Sequence, residues 1–181
     1  MKTDEILRFF EDINEIKHQE RQGWKDMGVE RPRDTVASHS FGAATLGMVL
    51  ADEEGLDPGR TAQMLLAHDL IMAYLPDYTP DDEEFDSKKQ IEDERLDLLL
   101  NDISGEQRQK LESLIEEMRS QETEVAMFAK EMDKLETILQ SIMYSGKERE
   151  KEPAEFIDYY EEYFRTETGR RLFDSLKERY G

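Results

Sequence analysis

The chain has 181 residues, of which 37% are hydrophobic and 38% are charged. This length suits one domain with one core, which is predicted to span residues 1–181. Its formal charge of −20 at pH 7 excludes a DNA or RNA polymer as the partner, because a phosphate backbone requires a basic binding face. The chain contains no cysteine, which excludes disulfides, thiolate zinc sites and cysteine nucleophiles.

The first segment, residues 4–18, carries apolar residues at steps of three and four, which predicts an amphipathic helix. No long apolar run precedes it, so we expect neither a signal peptide nor a membrane span, and a cytoplasmic protein. Gly23 is predicted to end this helix. Trp24, the only tryptophan, has two interpretations: a side chain packed in the core, or a flat ring stacked on a base or sugar.

Two apolar helices are predicted next, over residues 35–55 and 57–70. The segment before them, residues 29–34, is predicted to be a loop because its proline disfavours helix in the preceding residue. An Asp-Pro pair opens the second of these helices as N-cap and first helical residue. Residues 74–84 contain two prolines and a cluster of acids, so we expect a loop there.

The second half of the chain predicts further helices and no strand. One helix covers residues 87–101, and a capping-box pattern at residues 104–107 opens the next. A long helix follows at residues 125–142. Two aromatic-rich segments, at residues 153–164 and 166–180, close the chain. The sequence therefore predicts a single all-α bundle of roughly eight helices.

Histidines and carboxylates on these helices indicate a metal site. His39 lies near the start of one apolar helix, His68 and Asp69 end the next, and Asp133 lies beside the apolar stripe of the long helix. Imidazole nitrogens and carboxylate oxygens suit Mn, Fe, Co, Ni or Zn and leave coordination positions open. The alternative is a hydrogen-bonded core histidine beside an accidental aspartate, with Asp133 as a surface carboxylate.

Five segments carry a more specific signal, because they occur in a fixed order. They are Arg-Gln-Gly-Trp, Thr-Val-Ala-Ser-His-Ser, His-Asp, Pro-Asp-Tyr-Thr-Pro and Asp-Lys-Leu-Glu-Thr-Ile-Leu-Gln, at residues 21–24, 35–40, 68–69, 76–80 and 133–140. In this order they resemble the HD-domain metal-dependent phosphohydrolases, and within them the branch related to bacterial 5′-deoxynucleotidases. The resemblance runs almost end to end and implies a single HD domain.

The resemblance also implies the ligands and the substrate. It makes His39, His68, Asp69 and Asp133 the ligands of a divalent transition metal. It implies hydrolysis of a small phosphorylated substrate, a (deoxy)nucleoside monophosphate or a similar phosphate ester, by a water that the metal activates. A homodimer is expected on the same ground.

The remaining implied site residues would bind the substrate. Arg21 would hold phosphate oxygens through its planar guanidinium, and Trp24 would contact the sugar or base. Asp77 resembles the residue that orients the substrate and its leaving oxygen, and Thr79 could assist by hydrogen bonding. Arg21 and Asp77 are thus the expected catalytic residues.

Three positions depart from the family pattern. Met72 replaces a glutamate that is thought to assist the attacking water, and a thioether cannot accept that proton. Ser38 and Pro76 replace an acid and a glycine. Three hypotheses follow: an active nucleotide phosphohydrolase in which Asp77 or a carboxylate of residues 81–84 substitutes for the missing acid, a protein that binds metal and nucleotide without turnover, and an acidic helical scaffold.

Overall fold

The computed structural model describes residues 2–30, 32–74, 88–145 and 152–181. Apart from one isolated antiparallel bridge between Glu20 and Thr35, these residues contain no strand. Eight of their helices have at least seven residues, which confirms the predicted all-α class and the estimate of roughly eight helices. The α-helices are α1 (Thr3–Glu15), α2 (Gln22–Asp26), α3 (Val36–Leu50), α4 (Pro58–Ala67), α5 (Lys88–Leu99), α6 (Glu106–Ser120), α7 (Glu124–Tyr144), α8 (Glu152–Tyr160) and α9 (Glu167–Tyr180).

The chain divides into two compact units. Unit 1 comprises Met1–Ser38 and Ala67–Ser113, and unit 2 comprises His39–Leu66 and Leu114–Gly181. The prediction of one domain over residues 1–181 stays a prediction. In the part of the chain that the structure describes, no helix combines the length and the apolar composition that a membrane span requires.

The first two helices of unit 1 differ from the sequence prediction. Helix α1 ends at Glu15, and the prediction that Gly23 ends it is wrong, because Gly23 lies inside α2. The backbone N–H of Met27 donates to the carbonyl oxygen of Gly23 at 3.1 Å, which closes this short helix. Gly28 then has φ +70, a left-handed conformation that glycine adopts without a steric penalty, so the chain turns there.

Two apolar clusters form the core of unit 1. One contains Ile16, Val36, Ile71 and Met72, and Phe9 and Ile13 of α1 pack against the other, which contains Leu99, Leu100 and Ile103. The predicted apolar stripe of α1 is only partly used. Its members Ile6, Leu7 and Phe10 are about half exposed, because α1 packs through the face that carries Phe9 and Ile13.

Helix α7 forms the centre of unit 2, where α8 and α9 pack against it. Its Glu131 is fully buried and binds the start of α9: it accepts hydrogen bonds from the backbone N–H groups of Arg165 and Thr166, at 2.7 and 2.8 Å, and from the Thr166 hydroxyl at 2.5 Å. Burial raises the pKa of the Glu131 carboxyl, and these hydrogen bonds oppose the rise. A buried carboxylate therefore fixes the N-terminus of α9.

Gly47 lets α3 approach α4 closely within unit 2. A Cβ atom at Gly47 would lie 2.5 Å from Leu65 Cδ1 and 2.9 Å from Thr61 Cγ2, and both of those residues are fully buried. We expect Gly47→Ala to lower the free energy of unfolding by about 1–3 kcal/mol, because the core must shift to accept the methyl group. Urea denaturation measures this change.

Gly23→Ala is the matched control, because a Cβ at that helical position meets no heavy atom within 4 Å. It should leave the free energy of unfolding unchanged or raise it slightly, since alanine is the better helix former. Equal stabilities of Gly47→Ala and the wild type would contradict the close approach of α3 and α4.

Candidate metal centre

The start of α3 is held by reciprocal hydrogen bonds. The backbone N–H of Thr35 donates to Ser38 Oγ at 2.8 Å, and the backbone N–H of Ser38 donates to Thr35 Oγ1 at 3.2 Å. The Ser38 hydroxyl also donates to Asp34 Oδ1. Ser38, which stands where the family pattern has an acid, therefore caps the helix in the manner of a capping box. This cap defines the helical turn from which His39 projects.

His39 lies between two carboxylates of α7 in unit 2. Its Nε2 is 3.0 Å from Asp133 Oδ1, and its Nδ1 is 2.5 Å from Glu136 Oε2. His39 is 1% exposed, Asp133 3% and Glu136 8%. Asp133 and Glu136 are three residues apart, so they lie on the same face of α7. Because Asp133 is buried, the alternative interpretation of this residue as a surface carboxylate is wrong.

Two lysines compensate the charge of Asp133. Its second oxygen, Oδ2, is 2.7 Å from Lys130 Nζ and 3.2 Å from Lys134 Nζ. The Lys134 ammonium also lies over the rings of Tyr160 and Tyr163, at 5.0 and 5.7 Å from their centroids. Because an isolated buried carboxylate is costly, these cations make the burial of Asp133 tolerable.

His68 and Asp69 form a second pair, in unit 1. They follow directly after α4, which ends at Ala67, and the distance from His68 Nε2 to Asp69 Oδ1 is 3.2 Å. The backbone N–H of Met72 donates to the carbonyl oxygen of Asp69 at 3.0 Å and closes the turn that holds the pair. Both side chains are partly exposed, so they remain accessible to a ligand.

The expected substrate-binding residues differ in their surroundings. Arg21 is half-buried at the start of α2, and its backbone N–H donates to the carbonyl oxygen of Asp34 at 3.0 Å. Trp24 is 2% exposed, which agrees with the core-packing interpretation of its indole. Asp77 and Thr79 lie outside the described residues, as do Pro76 and residues 81–84.

The donor atoms suit a divalent transition metal. Each unit contains one imidazole nitrogen close to one carboxylate oxygen. In unit 2 the distance from His39 Nε2 to Asp133 Oδ1 is 3.0 Å, and in unit 1 the distance from His68 Nε2 to Asp69 Oδ1 is 3.2 Å. Mixed nitrogen and oxygen donors of this kind match the preferences of Mn, Fe, Co, Ni and Zn.

Comparison with known proteins identifies the family. A family model described as an HD domain matches residues 13–171. The chain belongs to the HD-domain family. A mouse protein named 5′-deoxynucleotidase HDDC2 is 30% identical over 157 residues, which cover 86% of this chain and 77% of that protein. A protein of the same name from Dictyostelium discoideum is 30% identical over 178 residues, which cover 94% and 93% of the two chains.

A solved structure confirms the fold of this HD domain. The PH0347 protein from Pyrococcus horikoshii OT3 is similar with a TM-score of 0.78 and 27% sequence identity, and the match covers 95% of this chain and 98% of that one. The recognition of an HD domain from the order of five short segments is therefore confirmed.

The sequence analysis missed two contacts of the expected ligands: Glu136 faces His39, and Lys130 faces Asp133. A signal for Glu136 was present, because a residue three positions after Asp133 must share its helical face. The same spacing, in the opposite direction, places Lys130 beside Asp133. The sequence pattern did not show that the Glu136 side chain is directed at His39 and the Lys130 side chain at Asp133.

We expect His68→Ala to lose its bound divalent metal, because the substitution removes one of the two imidazole donors that the family resemblance implies. Metal content of the purified protein, measured by mass spectrometry after dialysis, tests this. His18→Ala is the matched control, because His18 is exposed on the surface of the same unit and should retain the wild-type metal content. Full metal content in His68→Ala would contradict its role as a ligand.

Proposed function

We propose that this HD-domain chain is a divalent-metal-dependent phosphohydrolase that acts on a (deoxy)nucleoside monophosphate or a similar small phosphate ester. The observation that carries the proposal is the buried His39–Asp133 pair, with its donor atoms 3.0 Å apart, in a chain of this family. Relatives that are 30% identical and named 5′-deoxynucleotidase support the substrate class.

Four residues are proposed as the metal ligands: His39, His68, Asp69 and Asp133. Two imidazoles and two carboxylates leave coordination positions for water and for a phosphate oxygen on Mn, Co, Fe, Ni or Zn. When bound, the ion lowers the pKa of a coordinated water and neutralises charge on the phosphoryl oxygens. Lys130 and Lys134 contact the second oxygen of Asp133 and compensate the charge of this ligand.

Arg21 is proposed to bind the substrate phosphate, since its planar guanidinium can donate two parallel hydrogen bonds to phosphate oxygens. Arg21 is the N-cap residue of α2, three positions before the buried Trp24. The contact of Trp24 with the sugar or base stays a prediction. By family resemblance, Asp77 would orient the substrate and its leaving oxygen, and Thr79 would assist by hydrogen bonding.

Met72 occupies the position at which the family pattern has a proton-accepting glutamate. Its side chain is 8% exposed and belongs to the apolar cluster of Ile16, Val36 and Ile71. A thioether cannot accept a proton, so we propose that Asp77 or a carboxylate of residues 81–84 assists the attacking water. If none does, the chain binds metal and nucleotide without turnover.

Phosphate release tests the proposed function. The purified protein is first analysed for metal, and deoxynucleoside and nucleoside monophosphates are then supplied with Mn²⁺, Co²⁺ or Mg²⁺. We expect metal-dependent release of inorganic phosphate. A protein that contains metal but cleaves no monophosphate would overturn the proposal for this substrate class and favour binding without turnover.

We expect Arg21→Met to lower kcat/KM by at least roughly 10- to 150-fold, because the loss of even one hydrogen bond to a charged group costs about 1.5–3 kcal/mol. The loss should lie mainly in KM, at unchanged metal content. Arg8→Met is the control: it removes an exposed guanidinium of the same unit, which pairs with Asp102. If both variants keep the wild-type kcat/KM, Arg21 does not bind the phosphate.

We expect Met72→Glu to raise turnover, because it restores a proton acceptor, and to lower the free energy of unfolding, because it places a carboxylate in an apolar cluster. Met72→Gln is the matched control, since its amide has the same shape and cannot act as a base. It should lower the stability without raising kcat. Unchanged turnover in Met72→Glu would remove the assigned role of this position.

A further inference from the structure

We propose that Glu136 is a positioning residue for His39: its carboxylate accepts the Nδ1 proton and thereby directs the lone pair of Nε2 at the metal. The inference rests on the proposed function, in which His39 is a metal ligand. It adds a residue that touches neither the metal nor the substrate and acts through the imidazole.

The first support is the geometry of the two helices in unit 2. His39 and Gly42 lie three residues apart on one face of α3, and Asp133 and Glu136 lie three residues apart on one face of α7. Glu136 Oε2 is 2.5 Å from His39 Nδ1, and both residues are buried. Both ring nitrogens of His39 therefore face carboxylate oxygens of a single helix.

Gly42 provides the space that Glu136 occupies. A Cβ atom at Gly42 would lie 3.0 Å from Glu136 Oε1 and 3.1 Å from Glu136 Cγ, closer than ordinary van der Waals contact. The Glu136 side chain therefore lies across the backbone of α3 at this glycine. An alanine there would displace the carboxylate without removing it and without touching either ligand of unit 2.

The chemistry of imidazole explains why such a carboxylate matters. A neutral imidazole carries one N–H group and one lone pair, and the hydrogen bond at one nitrogen decides which nitrogen binds the metal. A carboxylate at Nδ1 fixes the proton there, orients the ring and makes Nε2 a stronger donor. The two carboxylates differ in this respect: Asp133 is charge-compensated by Lys130 and Lys134, while Glu136 faces Nδ1.

Zn²⁺ affinity of the full-length protein, measured by competition with a chelator, tests the proposal. We expect Glu136→Leu to raise the Kd about 10- to 100-fold, the range typical for loss of such an outer partner. Glu136→Gln keeps an oxygen that can accept the Nδ1 proton and should raise the Kd less. Circular dichroism establishes that each variant is folded.

Glu131→Gln is the matched control for a buried glutamate on the same helix. Glu131 binds the start of α9 and lies five residues before Glu136, about 140° around the helix, so this variant should change stability and leave the Zn²⁺ Kd at the wild-type value. An equal rise of the Kd in Glu131→Gln and Glu136→Gln would mean that burial of charge on α7, rather than the contact with His39, controls the affinity.

Gly42→Ala displaces the carboxylate while leaving all ligands in place, so we expect a rise of the Zn²⁺ Kd that is smaller than in Glu136→Leu. Gly47→Ala is its control on the same helix, because it disturbs Leu65 and Thr61 instead of Glu136. Unchanged Kd values in both Gly42→Ala and Glu136→Leu, with folded proteins, would overturn the proposal.

A direct readout is the tautomer of His39, from long-range ¹H–¹⁵N NMR of the Zn²⁺-loaded protein, which is tractable with three histidines. We expect a proton on Nδ1 and metal on Nε2; coordination through Nδ1 would overturn the proposal. His39→Ala distinguishes a failure of the role of Glu136 from a failure of the proposed ligand set. If it loses Zn²⁺ while the Glu136 variants do not, only the role of Glu136 fails; if it keeps full affinity, the proposed ligand set fails first.

Discussion

The contact of His39 with two carboxylates of α7 is the interaction on which the rest of the site in unit 2 depends. Burying two carboxylates and an imidazole together is costly unless each has a partner. Here His39 faces Asp133 on one side and Glu136 on the other, and Lys130 and Lys134 share the charge of Asp133. The position of the imidazole is thus determined by the protein alone, which lowers the cost of organising it around a ligand.

Helix α7 carries two kinds of buried carboxylate. Glu131 holds the N-terminus of α9, whereas Asp133 and Glu136 face His39. Two residues along an α-helix correspond to a rotation of about 200°, so Glu131 and Asp133 lie on nearly opposite faces. A change in the rotation of α7 would therefore disturb the docking of α9 and the contacts of His39 together.

Two departures from the family pattern have local structural explanations. Ser38 takes part in the capping of α3, so the hydroxyl that replaces an acid has a defined role at the helix start. Met72 packs in an apolar cluster with Ile16, Val36 and Ile71, which suits a thioether and disfavours a carboxylate. The two positions differ in their surroundings: Ser38 takes part in a helix cap, and Met72 lies in an apolar cluster.

The sequence by itself determined the all-α class and the order of the longer helices, because helical periodicity is a local property, and the order of five short segments indicated the HD-domain family. It misplaced the end of α1: that helix ends at Glu15, and Gly23 lies inside the short helix α2. Only the tertiary structure decided that Trp24 is buried and that Glu136 reaches Nδ1 of His39, a residue 97 positions away. Such contacts depend on how helices distant in the chain pack together, and no local pattern encodes that packing.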